Sequence, residues 1–102
     1  MFYNVLKLKD LVELDKVEKV DKFVLLENDG AVMMSVALKK DEILDWHNSD
    51  RNACVYVYEG EAEFHFEAEK FTVDKGELLI FKKGDMHKVL ALKDTKFLLV
   101  RI

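Results

Sequence analysis

Three histidines and one cysteine, His47, His65, His87 and Cys54, are the side chains in this 102-residue chain suited to binding a metal or moving a proton near neutral pH. They differ in setting. His65 lies in Glu61-Ala-Glu-Phe-His-Phe-Glu67, where Glu63, His65 and Glu67 share one strand parity and Ala62, Phe64 and Phe66 the other. It reads as a surface histidine paired with acids. Cys54 has no base in view that would make it a nucleophile, so it reads as a small apolar group. His47 stands thirteen residues before Gly60. His87 closes the run Gly76-Glu-Leu-Leu-Ile-Phe-Lys-Lys-Gly84-Asp-Met-His87.

The elements that must position them are short strands. Lys19 to Glu27 alternates, with Phe23 and Leu25 on one parity, and ends at Asn28-Asp29-Gly30, where Asp-Gly supplies the positive φ of a tight hairpin. Ala31 to Leu38 is an apolar run of strand length, expected to be covered on both faces, with Met33 and Met34 on opposite sides and one of them lining a cavity. Cys54, Tyr56 and Tyr58 oppose Val55 and Val57, and this strand too is expected to be covered on both sides. Beyond the Glu59-Gly60 turn, residues 61–67 read as a strand with one core face and one wet face. Further strands are expected at 71–73, 78–81, 87–92 and 97–101. A short helix is expected at Asp10 to Leu14. Short strands at this spacing predict an all-β sandwich or barrel, and a jelly-roll barrel best fits the order.

Composition bounds the function. Residues 1–102 are the length of one domain, and a core this small makes added burial in a dimer natural. The net charge of −4 and the spread of fourteen lysines, never more than two in a row, argue against a nucleic-acid surface. No segment is long and apolar enough for a membrane helix, and the N-terminus lacks a signal-peptide pattern. A lone cysteine excludes an internal disulfide, which makes the cytoplasm the expected compartment.

The two spacings together resemble those of the cupin family of small β-barrels. In that family a histidine opens the first motif and a glycine turn closes it. The second motif runs glycine, five residues, proline, one residue, glycine, two residues, histidine. The resemblance covers about residues 31–102 and implies a cupin-type jelly roll, or double-stranded β-helix. It implies that His47 and His87 point into the barrel mouth as retained metal-ligand positions. The family's second histidine falls on Ser49 and its glutamate on Ala53, so those two donors are lost. Lys82 stands where the family usually has proline, adding a cation near the mouth that could favour an anionic ligand.

Two imidazoles are fewer donors than a catalytic zinc or non-haem iron usually has. Strand alternation would put Asp45 on the side of His47, and Asp50 follows in the next loop. Either could complete a two-histidine, one-carboxylate set holding one divalent transition metal such as iron, nickel, zinc or manganese. Both are equally read as solvated loop acids. Two functions therefore stand open. One is a metal-dependent barrel of dioxygenase or isomerase type. The other is a non-catalytic module binding a small molecule without metal, its pocket lined by Ser49, Ala53, Val55, Val57, Phe64 and Phe66, with Trp46 and Lys82 at the rim. A metal-independent sugar-nucleotide epimerase is disfavoured, because no distinct acid–base pair is present. The resemblance also implies a homodimer.

Overall fold

The computed structural model describes residues 3–14 and 19–102. Within them nine strands run in chain order: β1 (Val20–Asn28), β2 (Ala31–Leu38), β3 (Ile43–His47), β4 (Ala53–Glu59), β5 (Glu61–Phe66), β6 (Lys70–Asp74), β7 (Leu78–Phe81), β8 (His87–Ala91) and β9 (Thr95–Arg101). All pairings are antiparallel. One sheet has the order β1-β2-β9-β4-β7 and the other β3-β8-β5-β6. After β2 the chain passes repeatedly between the sheets, which is jelly-roll topology.

Alternation explains what lies between the sheets. Val36 and Leu38 of β2, Val55 and Val57 of β4 and Phe97 of β9 face Ala62 and Phe64 of β5, Val73 of β6, and Val89 and Ala91 of β8 in one buried cluster. Phe64 and Phe97 meet edge to face across it, centroids 6.1 Å apart. At the closed end Thr95 is fully buried, and its Oγ1 lies 2.9 Å from the Glu61 carbonyl and 2.7 Å from that of Lys93. The opposite end is the mouth. There β3, β5, β7 and β9 end and β4, β6 and β8 begin.

The hairpin expected at Asn28-Asp29-Gly30 forms with φ of 50° at Asp29 and 86° at Gly30. The N-terminal segment differs from expectation. A single 3-10 turn occupies Leu8–Asp10, and no helix continues to Leu14. The Glu13 N–H instead donates to Asp21 Oδ2 at 3.0 Å, which takes it out of any helical ladder. The segment is tied to the outer face of the five-stranded sheet. Tyr58 Oη donates to the Leu8 carbonyl at 3.0 Å, Lys96 Nζ donates to that of Lys9 at 2.8 Å, and Val12 is buried. This covers β2 on both faces over Ser35–Leu38, so the two-sided cover expected for the whole of Ala31–Leu38 holds for its second half, Ala31, Met33 and Met34 being half-buried. It does not cover all of β4, where Tyr56 stays 37% exposed, so that strand is sealed on its barrel side only.

Gly60 offers a test of how the closed end is held. Its φ is +82°, and a Cβ there would lie 2.3 Å from the Asp94 carbonyl oxygen. Gly76 has a similar φ of +88° with nothing near. Gly76→Ala should cost only the left-handed strain, about 1–2 kcal/mol. Gly60→Ala should cost clearly more, because backbone must move. Thermal or urea unfolding of the two variants checks this, and equal losses would refute the clash.

Candidate functional site at the barrel mouth

β8 lies between β3 and β5, so its first residue meets both. His87 pairs with His47 on one side and Phe66 on the other. The two imidazole centroids are 4.2 Å apart at 60°. Each ring ends an Asp-X-His segment and reaches back to the carbonyl two residues before it. His47 Nδ1 lies 2.6 Å from the Asp45 carbonyl oxygen and His87 Nδ1 lies 2.8 Å from that of Asp85. A carbonyl only accepts, so each Nδ1 carries the hydrogen, and in a neutral ring the lone pair then lies on Nε2.

The two rings differ in surroundings. His47 is exposed, whereas His87 is 5% exposed. Phe81 stands 4.5 Å from the His87 ring, and Phe66 6.0 Å. Burial is the main reason the His87 pKa falls below its usual 6.5. The hydrogen bond to Asp85 opposes the shift and nearby His47 adds to it. His87 is therefore a neutral imidazole at neutral pH.

Phe66 and Phe81 also line a cavity of about 760 Å³ at this end of the barrel, together with Ala53, Phe71, Leu79 and Met86. Its polar edge is formed by Asn52, Glu67, Glu69, Lys82 and Asp85, while His47, His87 and Arg101 lie outside its lining. Cys54, Ile80 and Val100 line it too, although they belong to the outer face, so the cavity continues round the end of β7.

The residues singled out in the sequence fall into three groups. His47 and His87 come together. Asp45 and Asp50 do not join them: among the described residues no group of three His, Cys, Asp or Glu side chains is placed to hold a metal. Asp45 Oδ1 instead accepts the Trp46 N–H at 2.8 Å, and Asp50 is exposed. The reason lies in β3, where a register irregularity between Leu44 and His47 breaks the simple alternation that would align Asp45 with His47. Of the expected pocket walls, Ala53 and Phe66 line the cavity, while Val55, Val57 and Phe64 are sealed in the core below it. Ser49 is a loop clamp: its Oγ accepts the Arg51 N–H at 3.1 Å and its carbonyl accepts that of Gly84 at 2.8 Å. Lys82 lines the cavity, and Trp46 is 44% exposed with Lys88 Nζ 5.4 Å from its ring centre. His65 Nε2 sits 2.6 Å from Glu63 Oε1, the acid pairing read from the sequence. Met34 packs against the core, and Met33 takes the outer face.

One mouth residue was missed. Arg101 directly opposes Val32 and Ala53, and its Nε is buried without a hydrogen-bond partner. The parity of Phe97, Leu99 and Arg101 on the closing strand carried that signal.

A two-sheet jelly roll with paired histidines at its mouth defines a class of small barrel proteins. The cupin domain family matches residues 34–101, and the chain belongs to it. No curated protein matches the chain. Solved structures share the fold. A conserved protein of unknown function from Streptococcus pyogenes is 22% identical with a TM-score of 0.89, covering 100% of this chain and 89% of that one. A cupin superfamily protein from Desulfitobacterium hafniense is 17% identical with a TM-score of 0.89, covering 100% and 93%. A cupin 2 conserved barrel domain protein from Leptotrichia buccalis is 26% identical with a TM-score of 0.83, covering 92% of this chain and 45% of that one.

The depressed His87 pKa has a stability consequence. The unfolded chain takes up this proton near pH 6.5, while the folded chain resists it to lower pH. The contribution is fully present above pH 6.5 and is lost as pH falls through the folded value. In His87→Asn the side-chain amide can still donate to the Asp85 carbonyl, so its melting temperature should fall less between pH 7.5 and pH 5 than that of the native chain. Parallel pH profiles would refute the assignment.

Proposed function

We propose that this chain is a small-molecule-binding cupin barrel, one domain over residues 1–102, whose ligand sits at the mouth beside His47 and His87. The observation that carries this reading is that Phe66 and Phe81 wall an apolar cavity and also hold the neutral His87 ring. A concave, mainly apolar site with a few convergent polar groups is what small-molecule binding requires. His87 Nε2 would accept a hydrogen bond from the ligand, and His47, nearer solvent, could accept one or carry a proton. The free thiol of Cys54 is consistent with the cytoplasm.

The donor set does not fit a metal centre held by three protein ligands, since alanine at 53 offers none and Ser49 is engaged in its loop. A second reading is favoured by one specific feature, two imidazoles 4.2 Å apart whose Nδ1 atoms are both held by backbone carbonyls, so that Nε2 is the free nitrogen of each ring. Those two nitrogens would hold a divalent transition metal only with its remaining positions supplied from outside the chain. Elemental analysis of untagged protein, after incubation with iron, nickel, zinc and manganese, separates the readings. The metal-free module should carry no stoichiometric metal, and its melting temperature should rise with a fragment-library hit in the native chain but not in the His47→Ala, His87→Ala double variant. Stoichiometric metal lost in that variant would establish the second reading instead.

The partner in this proposal is a second copy. Two cross-strand rows cover the outer face of the five-stranded sheet: Leu26, Met33, Val100, Cys54 and Ile80, then Phe23, Ser35, Leu98, Tyr56 and Leu78. Leu78 is 61% and Ile80 72% exposed. Ser35 in the second row is buried under the N-terminal segment, but Leu26, Tyr56, Leu78 and Ile80 are exposed, and a two-fold packing of like sheets would cover them. Light scattering should report twice the chain mass. Leu78→Lys with Ile80→Lys should give a folded monomer; a native monomer at micromolar concentration would overturn the dimer.

A further inference from the structure

We infer that the cavity at the barrel mouth is fitted to an organic cation, an ammonium group carried on an apolar body. This deepens the reading of the mouth as a small-molecule site and rests on it. The cavity, about 760 Å³, is large enough for one such molecule. Phe66, Phe71, Leu79, Phe81 and Met86 give the apolar body its walls. Three of these are aromatic, and their rings meet at steep angles. Phe66 stands 6.0 Å from Phe71 at 71° and 5.6 Å from Phe81 at 63°. Walls of this kind let a bound head group meet aromatic surface on more than one side. A ring quadrupole attracts a cation and gives nothing comparable to an anion.

The charge at the rim has the matching sign. Three acids, Glu67, Glu69 and Asp85, stand against one base, Lys82. Two separate loops bring the acids to the same cavity. Glu67 and Glu69 flank Ala68 in the β5–β6 turn, which closes where the Phe66 N–H donates to the Glu69 carbonyl at 2.7 Å. Asp85 is held in the β7–β8 loop, where its Oδ2 accepts the Lys82 N–H at 3.2 Å. Among the described residues none of the three carboxylates makes an ion pair, so their charge is not spent within the chain. Asn52 Oδ1 is engaged by the Lys83 N–H at 3.1 Å, which leaves the carboxylates as the acceptors for a charged head group. Lys82 opposes the cation, but its long stem lets the ammonium stay out in water. The acids alone would make no site, because they are exposed and their attraction is screened by salt. Beside aromatic walls, two attractions of the same sign preference act on one head group.

The test titrates phenethylammonium, phenethyl alcohol and hydrocinnamate into ¹⁵N-labelled protein at low and at high salt. The three share an apolar body and differ in the charge of the head group. The backbone amides of Ala68 and Gly84 report binding at the rim. The ammonium should bind ~fivefold or more tightly than the alcohol, with the carboxylate weakest and the spread narrowing as salt is added. Glu67→Gln with Glu69→Gln should remove most of the ammonium's advantage, whereas Lys82→Gln should enlarge it. Unchanged affinity for the alcohol guards both variants against a folding defect. Ammonium and alcohol binding alike, the carboxylate binding tightest, or an advantage that survives the double glutamine variant would overturn the cation assignment and leave the binding barrel standing. If none of the three compounds moves either amide, both readings fall.

Discussion

Register is the constraint on which the mouth depends. His87 meets His47 and Phe66 only because β8 pairs with β3 and β5 at one particular offset. Arg101 meets Ala53 only because β9 pairs with β4 as it does. A slip of one residue would turn each of these side chains to the other face of its sheet. At the mouth the Phe66, Phe81 and His87 rings resist such a slip, and the closed end adds more. There Ala62 against Ala91, Phe64 against Val89, and Phe97 beside Val36 and Val57 fix the offsets a few residues away. The Gly60 turn, packed on Asp94 and Thr95, locks the hairpin that carries β5. Chemistry at one end of the barrel is thus positioned by packing at the other.

Departures from the family pattern at the mouth have local physical substitutes. Where the family usually has proline, Lys82 donates its N–H to Asp85 Oδ2 at 3.2 Å, a bond that proline could not make. A side-chain hydrogen bond thus stiffens the loop that a ring would otherwise restrain. Ser49 gives up a ligand position and gains a structural one, tying the β3–β4 loop to Gly84 before His87. These exchanges preserve the placement of His87 while altering what the mouth presents. Two imidazoles remain where the family pattern has a fuller ring of metal donors.

The fold was largely legible because alternation and turn residues report backbone geometry directly. Asp29-Gly30 gave its turn through the positive φ it permits, and residues 61–66 gave their two faces through the Glu/Phe alternation. Legibility failed where geometry departs from the simple period. The irregularity in β3 separates Asp45 from the alignment that counting by twos predicts. The helix expected near Leu11 gave way to hydrogen bonds with Asp21 and Tyr58, partners eight and fifty positions away. Arg101 escaped notice for a different reason. A charged residue beside a chain terminus usually faces solvent, and only the parity it shares with Phe97 and Leu99 says otherwise.

The outer face and the mouth are not independent surfaces. Cys54, Ile80 and Val100 form part of an apolar row that runs across the five-stranded sheet, and the same three side chains wall the cavity where it rounds β7. The N-terminal segment covers the closed-end half of this face through Tyr58 and Lys96, leaving the mouth-end half open. A second copy seated there would complete the cavity wall, and a ligand in the cavity would touch the surface the copies share. Such an arrangement couples the two equilibria through common residues. A ligand that favours the paired form must, by reciprocity, bind it more tightly than the single chain. With a core this small, burial gained by such pairing would also steady the register on which His87 depends. Association and recognition would then draw on the same three side chains, Cys54, Ile80 and Val100.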